Sequence, residues 1–164
     1  MTGRPRLRLF RLAGPLVVAG AVFVSCGGPG PVSITGAPTP AVGDRAACAA
    51  LIAALPDSLG AGMDRREVKP PVANAAAYGA KPDAVLTCGA TGVAASYQPT
   101  TVLSAIDEVG WFTEALGDRT RYSTPTRTPQ VVLTLPADQQ AFEVLVALAP
   151  SVREHTRPTA GTEG

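Results

Sequence analysis

Few residues of this chain have the types and spacing that catalysis requires. Three carboxylates, Asp107, Glu108 and Glu114, lie close together in the sequence around Trp111, and paired carboxylates can act as general acid and general base. Asp107 and Glu108 are adjacent, however, so on a strand their side chains would point to opposite faces of the sheet. We therefore expect "IDEVGW" to be a tight turn between two strands, with both carboxylates in solvent.

The other common catalytic and ligand-binding patterns are missing from the sequence. The one histidine, His155, lies in "SVREHTRP" near the C-terminus, where we expect a solvated side chain with no triad partner. GxSxG, HExxH, P-loop and GxGxxG motifs do not occur. We expect no cofactor and no metal site, because the cysteines lack CxxC spacing and the histidine is remote from them.

A candidate binding surface consists of Trp111, Phe112, Arg119 and Arg121. Trp111 is the only tryptophan and is followed directly by Phe112. Arg119 and Arg121 are two residues apart, so they share one face of a strand. The alternative is that one ring packs in the core while the other is partly exposed.

Arg65 and Arg66 in "GMDRREV" have the pattern of a solvated loop pair. Two arginines would attract phospholipid headgroups only weakly.

The first 25 residues have the three-part pattern of an export signal. The basic stretch "RPRLRLFR" precedes an uncharged run over residues 12–25, which is shorter than the roughly 20 residues that span a bilayer as a helix. The segment has no Arg-Arg pair, so we expect the general secretory route. Without its four arginines the formal net charge falls from +1 to −3, and such a balance gives no reason to expect a nucleic-acid partner.

Cys26 ends the apolar run in "FVSC", which resembles the lipobox of bacterial lipoproteins. In that motif, lipoprotein signal peptidase cleaves before the cysteine, whose sulfur carries a diacylglycerol. Val24, Ser25 and Gly27 suit the motif, whereas Phe23 departs from it because an aliphatic residue is usual there. The resemblance implies a membrane lipid anchor through acylated Cys26 on the extracytoplasmic face. The alternatives are an uncleaved signal anchor and a secreted chain cut at a small-residue site such as "AGA".

The composition divides the chain into four parts. After the signal peptide of residues 1–25, residues 26–43 are rich in glycine and proline, and we expect a flexible tether that spans roughly 20–25 Å. Residues 44–153 have the composition of a single globular domain, and residues 154–164 that of a disordered tail.

The globular part begins with a predicted helix from Asp44 to near Pro56. Cys48, Leu51, Ile52 and Leu55 recur there with helical spacing and predict its buried face. Strands are expected at residues 84–90, 101–106, 109–113, 119–124 and 130–135. A second helix opens at residues 136–138, with an inward stripe of Phe142, Leu145, Val146 and Ala149, and Pro150 is expected to end or bend it. This order predicts an α+β fold: two layers, with a mainly antiparallel sheet and an N-terminal and a C-terminal helix packed on one face.

Two cysteines of this part face the predicted core. Cys48 lies on the inward face of the first helix, and Cys88 shares a strand face with Leu86. In an exported chain such a pair favours a disulfide. Two buried free thiols are the alternative.

Five segments carry a resemblance to a known family. "CAALIAALPDSL", "AAAYG", "PDAVLTCGA", "DEVGWF" and "VVLTLPA" are similar, in this order, to the exported actinobacterial family catalogued as domain of unknown function 3515. The resemblance covers most of residues 45–152 and implies an exported location and paired cysteines, but it brings no activity. The chain departs from the family at Tyr78, where tryptophan is usual, and at Thr87, where arginine is usual.

Taken together, these patterns favour a lipid-anchored, non-enzymatic binding or structural domain of the cell envelope, with an envelope protein or a cell-wall component as partner. The alternatives are an extracytoplasmic hydrolase that uses carboxylates, and a small-ligand carrier with an apolar cavity of several hundred Å³.

Overall fold

The computed structural model describes residues 29–60, 62–81, 83–90 and 96–159. The predicted export signal, residues 1–25, and Cys26 lie outside the described residues. A short 3₁₀ turn at Val42–Asp44 precedes the first helix. The helices are α1 (Arg45–Ala54) and α2 (Ala141–His155), and the strands are β1 (Arg65–Arg66), β2 (Ala75–Tyr78), β3 (Ala84–Ala90), β4 (Ser104–Ile106), β5 (Val109–Leu116), β6 (Arg119–Ser123), β7 (Arg127–Thr128), β8 (Gln130–Pro136) and β9 (Arg157–Pro158).

Seven strands form one antiparallel sheet in the order β1-β2-β3-β8-β6-β5-β4. The register aligns Tyr78 with Ala84, and Arg119 with Pro136, at one end of the sheet. We call this the Gly79 end, after the turn that follows β2. The turn between β4 and β5 contains Asp107 and lies at the opposite end, the Asp107 end. Strands β7 and β9 form a separate pair.

Both helices contribute to a single core on one face of this sheet, so the predicted α+β fold is confirmed. In α1, the predicted inward residues Cys48, Leu51, Ile52 and Leu55 are all buried. In β8, Val131, Leu133 and Leu135 are buried and alternate with half-buried residues, as expected for a strand with one face on the core. Asp44 directly precedes α1, but its side chain makes no capping hydrogen bond.

Helix α2 buries a stripe that differs from the predicted one. Phe142 and Val146 are 62% and 40% exposed, so their predicted inward positions are wrong. Leu145 and Ala149 are buried, as predicted. The prediction started the stripe at Phe142, whereas the core-facing side starts two residues later, and with 3.6 residues per turn this rotates the buried face. The buried hydrophobic residues of α2 are Val144, Leu145, Leu148, Ala149 and Val152.

Pro150 lies inside α2, and the helix continues to His155 instead of ending there. Proline removes one helical hydrogen bond. The following turn is held by other contacts, because Val152 is completely buried and the Ser151 hydroxyl donates to the Ala54 carbonyl of α1 at 2.9 Å.

Residues 154–159 belong to the fold, which corrects the described part of the predicted disordered tail over residues 154–164; residues 160–164 lie outside the described residues. Strand β9 pairs with β7. Beside it, the Nε of buried Arg127 donates to Thr156 Oγ1 at 2.6 Å, and Nη2 donates to the Thr156 carbonyl at 2.9 Å. A polar composition predicts disorder from the lack of apolar burial, and it does not reveal that a buried guanidinium holds the backbone in place.

Residues 29–40, here called the strap, pack against the domain. This corrects the described part of the flexible tether predicted over residues 26–43; residues 26–28 lie outside the described residues. The Val32 N–H donates to the Glu67 carbonyl at 2.8 Å, and the Lys69 N–H donates to the Val32 carbonyl at 2.9 Å. The strap has few apolar side chains to bury, but its carbonyls accept hydrogen bonds from the domain. Its prolines also reduce the conformational entropy that is lost when it docks.

Candidate functional site

The predicted binding surface does not form as one patch, because its two aromatic residues lie on opposite faces of β5. Trp111 points into the core and is 1% exposed. Phe112 points to the face of the sheet away from the helices, here called the open face, and is 9% exposed. Its ring meets that of Tyr97 edge to face, with 5.4 Å between centroids. Both rings are therefore buried.

Arg121 lies on the open face in a pair with Glu114, which is its register partner on β5. Arg121 donates through Nε to Glu114 Oε2 at 2.7 Å, and Nη2 donates to the same oxygen. The Ser96 hydroxyl donates to the other carboxylate oxygen at 2.6 Å. Burial alone would raise the pKa of Glu114, but the hydrogen bonds from Ser96 and Arg121 and the charge of Arg121 together lower it below its usual value.

Arg119 also lies on the open face, where it binds backbone carbonyls. Its Nη2 donates to the carbonyls of Asp83 at 3.1 Å and Thr134 at 3.2 Å. Both arginines of the predicted surface thus hold neighbouring strands of the protein itself together.

Asp107 and Glu108 form the predicted tight turn, between β4 and β5. Both have left-handed backbone conformations, with φ of 48° and 65°. Arg153 of α2 reaches this turn, with its Nη1 at 2.6 Å from Asp107 Oδ1 and 3.7 Å from Glu108 Oε2. These two carboxylates lie at the Asp107 end, and Glu114 is paired on the open face of β5. The three acids therefore do not converge on one reaction centre.

Arg65 and Arg66 are not a solvated loop pair, because they form β1 at the edge of the sheet. Arg65 donates to the carbonyls of Leu55 at 3.0 Å and Ile52 at 2.5 Å, at the C-terminal end of α1. Arg66 donates to the carbonyls of Gly79, Ala80 and Gly30. Lysine or arginine side chains at a helix C-terminus satisfy carbonyls that lack helical partners, which accounts for Arg65.

A cleft of about 430 Å³ adjoins these arginines. Its walls are Pro29 of the strap, Gly62, residues 64–67 and the Gly79-Ala80 turn. The volume would hold a small ligand. The walls, however, carry two acids and two arginines, so the cleft does not resemble the apolar cavity that a carrier of hydrophobic ligands needs.

Arg127 is a buried polar residue that sequence reasoning missed. Besides Thr156, it contacts the Arg153 carbonyl at 3.2 Å, so it satisfies the C-terminal turn of α2. Burial lowers the pKa of Arg127, and the positive charge of Arg153 lowers it further, while Glu108 opposes the shift. No local pattern around a lone arginine identifies this role.

Cys48 and Cys88 are joined by a disulfide, which confirms the predicted pair. Their Cα atoms are 5.4 Å apart, within the usual range, and both residues are completely buried. The bond ties α1 to β3 across 40 residues of sequence.

Tyr78, at a position where the resembled family tends to have tryptophan, is completely buried in the hydrophobic core. Its hydroxyl donates to the Pro56 carbonyl at 2.9 Å. Burial raises the pKa of Tyr78 to about 12, with Arg65 lowering it and Asp57 raising it by smaller amounts.

The described residues contain neither a metal-binding cluster nor a membrane-spanning helix. Within the described part of the chain, no three His, Cys, Asp or Glu residues group so as to hold a metal ion. Neither of the two described helices is long and apolar enough to cross a membrane.

The structure thus has a disulfide-linked core, a charged cleft, and carboxylates that form ion pairs with arginines. A comparison with curated proteins and a comparison with solved structures each found no significant match. A comparison with family profiles found one whose description is "Protein of unknown function (DUF3515)", and it matches residues 11–160. Because this match covers most of the 164 residues, the chain belongs to that family.

Proposed function

We propose that this protein is an exported domain, anchored to the outer side of the cell membrane by acylated Cys26, that serves as a non-enzymatic binding or structural component of the cell envelope. The observation that carries the proposal is the buried disulfide between Cys48 and Cys88. Disulfides persist in oxidising compartments and are rare in the bacterial cytoplasm. The basic and apolar N-terminal segment supplies the export signal that such a compartment requires.

The pairing of cysteines supports acylation of the third one. Because Cys48 and Cys88 bond to each other, Cys26 is left without a cysteine partner in its own chain. A diacylglycerol thioether together with an N-acyl chain would anchor the protein stably, since more than one chain is needed for lasting membrane attachment.

The state of the carboxylates favours binding or structure over hydrolysis. Asp107 and Glu114, the acids that a hydrolase would use, each have an arginine partner. The lowered pKa of Glu114 makes it a poor proton donor near neutral pH, because a general acid needs a pKa close to the working pH. The charged cleft likewise gives no support to a carrier of apolar ligands.

Cell fractionation tests the proposed location on the outer side of the cell membrane. In an expressing bacterial host, the wild-type protein should remain with the membranes after a salt wash. With a cysteine placed at exposed Glu154 (Glu154→Cys), it should react with a membrane-impermeant thiol reagent applied to intact cells. The matched control Cys26→Ala cannot be acylated or cleaved before residue 26, so it should lack the acyl mass while keeping the disulfide. A wild-type protein found in the cytoplasm, or protected from the reagent, would overturn the proposal.

Cross-linking in living cells, followed by mass spectrometry, tests the role. One dominant envelope partner, recovered with wild type, is the expected result. Turnover of a cell-wall substrate by the purified protein, abolished by Glu114→Gln, would instead establish the hydrolase alternative.

A further inference from the structure

The strap runs along the whole length of the sheet. At the Gly79 end, the Gly30 carbonyl accepts a hydrogen bond from Arg66, which also binds the turn after β2. At the Asp107 end, the Asn74 side-chain amide donates to the Pro38 carbonyl at 2.8 Å. Pro40 lies so close to Gly89 that a Cβ on that glycine would come within 2.6 Å of the proline.

Contacts between these ends fix the strap in register. The Ser33 hydroxyl donates to the Lys69 carbonyl at 2.8 Å, next to the backbone bonds that Val32 makes with Glu67 and Lys69. The strap is thus held at both ends and in the middle. The chain consequently leaves the domain, toward its N-terminus, at the Gly79 end.

Gly30 is only four positions after Cys26 in the sequence. Four extended residues reach at most about 14 Å. A lipid on Cys26 therefore keeps the docked end of the strap close to the bilayer surface, much closer than a tether that was flexible over all of residues 26–43 would require.

We infer that the strap sets the orientation of the domain on the membrane, with the Gly79 end and its cleft against the phospholipid headgroup layer and the Asp107 end facing away. This inference rests on the proposed acylation of Cys26. The partner of this surface is the headgroup layer of the same bilayer that holds the anchor.

Proximity, and not charge, holds this surface at the bilayer. The cleft carries Asp64 and Glu67 against Arg65 and Arg66, and both arginines already bind backbone carbonyls. Lys69 pairs with Glu67 at 3.0 Å. The orientation should therefore be the same on zwitterionic vesicles and on vesicles that contain anionic lipid.

Energy transfer to the bilayer tests the orientation on the full processed protein, purified from membranes and placed in vesicles of phosphatidylcholine with an acceptor lipid. A fluorophore is placed on a cysteine either near the Gly79 end (Lys81→Cys) or in the last turn of α2 (Glu154→Cys). This last turn lies at the Asp107 end, because Arg153 contacts Asp107. Both positions are exposed. The seven residues of β8 span roughly 23 Å, so the first label should lie closer to the bilayer by about this length and should transfer energy more efficiently.

Two matched insertions separate a docked strap from a flexible tether. A Gly/Ser insertion of about twelve residues between Gly28 and Pro29 lengthens the segment between Cys26 and Gly30 to about 16 residues, or roughly 22 Å on average. This insertion should remove the difference in energy transfer between the two labels. The same insertion between Pro40 and Ala41 leaves the strap docked and should preserve the difference. Equal effects of the two insertions would overturn the inference.

The mass of each labelled preparation shows whether Cys26 is acylated, so failure of the orientation can be told apart from failure of the proposed lipid anchor. If Cys26 is acylated and the two labels transfer energy equally, or if the difference appears only with phosphatidylglycerol present, the inference fails while the proposed function stands. If Cys26 is not acylated, the proposed function and the inference both fail. Acylated protein with the expected difference on phosphatidylcholine supports both.

Discussion

The disulfide gives the most quantitative prediction. Cys48 and Cys88 close a loop of 40 residues, and the chain-entropy relation then assigns the cross-link a stabilisation of about 4 kcal/mol, through the reduced entropy of the unfolded chain. We expect Cys48→Ala and Cys88→Ala to lower the free energy of unfolding by similar amounts near this value. The double variant should be no less stable than either single variant, because the first substitution already removes the bond.

Urea unfolding, followed by the fluorescence of Trp111 in the core, measures these differences. Wild type in reducing buffer is the matched control, and its midpoint should move close to that of the single variants. The m-value should also change, because the uncrosslinked chain exposes more surface when it unfolds. A shared disulfide would be contradicted if the stability lost in the double variant equalled the sum of the losses in the two single variants. An unchanged urea midpoint on reduction of wild type would also contradict it.

Three further predictions follow from side chains with defined surroundings. Because the folded protein lowers the pKa of Glu114, the ionised carboxylate stabilises the fold fully above the unfolded pKa near 4.5, and this stabilisation is lost as the pH falls through the folded pKa. In thermal melts, the melting temperature of Glu114→Gln should therefore depend less on pH below about pH 5 than that of wild type. Arg127→Leu should cost about 2–3 kcal/mol in urea unfolding, because it leaves several carbonyl and hydroxyl acceptors beside α2 without their donor, and a variant within 0.5 kcal/mol of wild type would contradict this role. Leu148→Ala should cost about 2–5 kcal/mol, whereas Phe142→Ala should cost less than about 0.5 kcal/mol, and the reverse order would restore the stripe that the sequence predicted.

Much of the fold could be predicted because its central elements have regular hydrophobic periodicity. The alternation of Val131, Leu133 and Leu135 identified β8, and helical spacing identified α1. Strand β2 was missed because three of its four residues are alanine, which is depleted in strands. Its strand conformation results from pairing with β1 and β3, and no local pattern shows that.

The candidate site was harder to predict because its residues are fixed by backbone contacts. Arg66, Arg119 and Arg127 all donate to carbonyls that are distant in sequence, and a sequence does not show which carbonyls a long side chain will reach. The cysteine pair was predictable because each cysteine lies on an element with clear periodicity. The strap was not, because it docks through its backbone and its composition is typical of a linker.

Intact mass spectrometry of the protein purified from membranes, beside a Cys26→Ala control, tests the central claim most directly. We expect a species that begins at Cys26, carries the mass of two or three acyl chains, and is lighter by two hydrogens because Cys48 and Cys88 are bonded. A full-length unmodified chain, or a chain cleaved elsewhere without lipid, would contradict the proposed anchor.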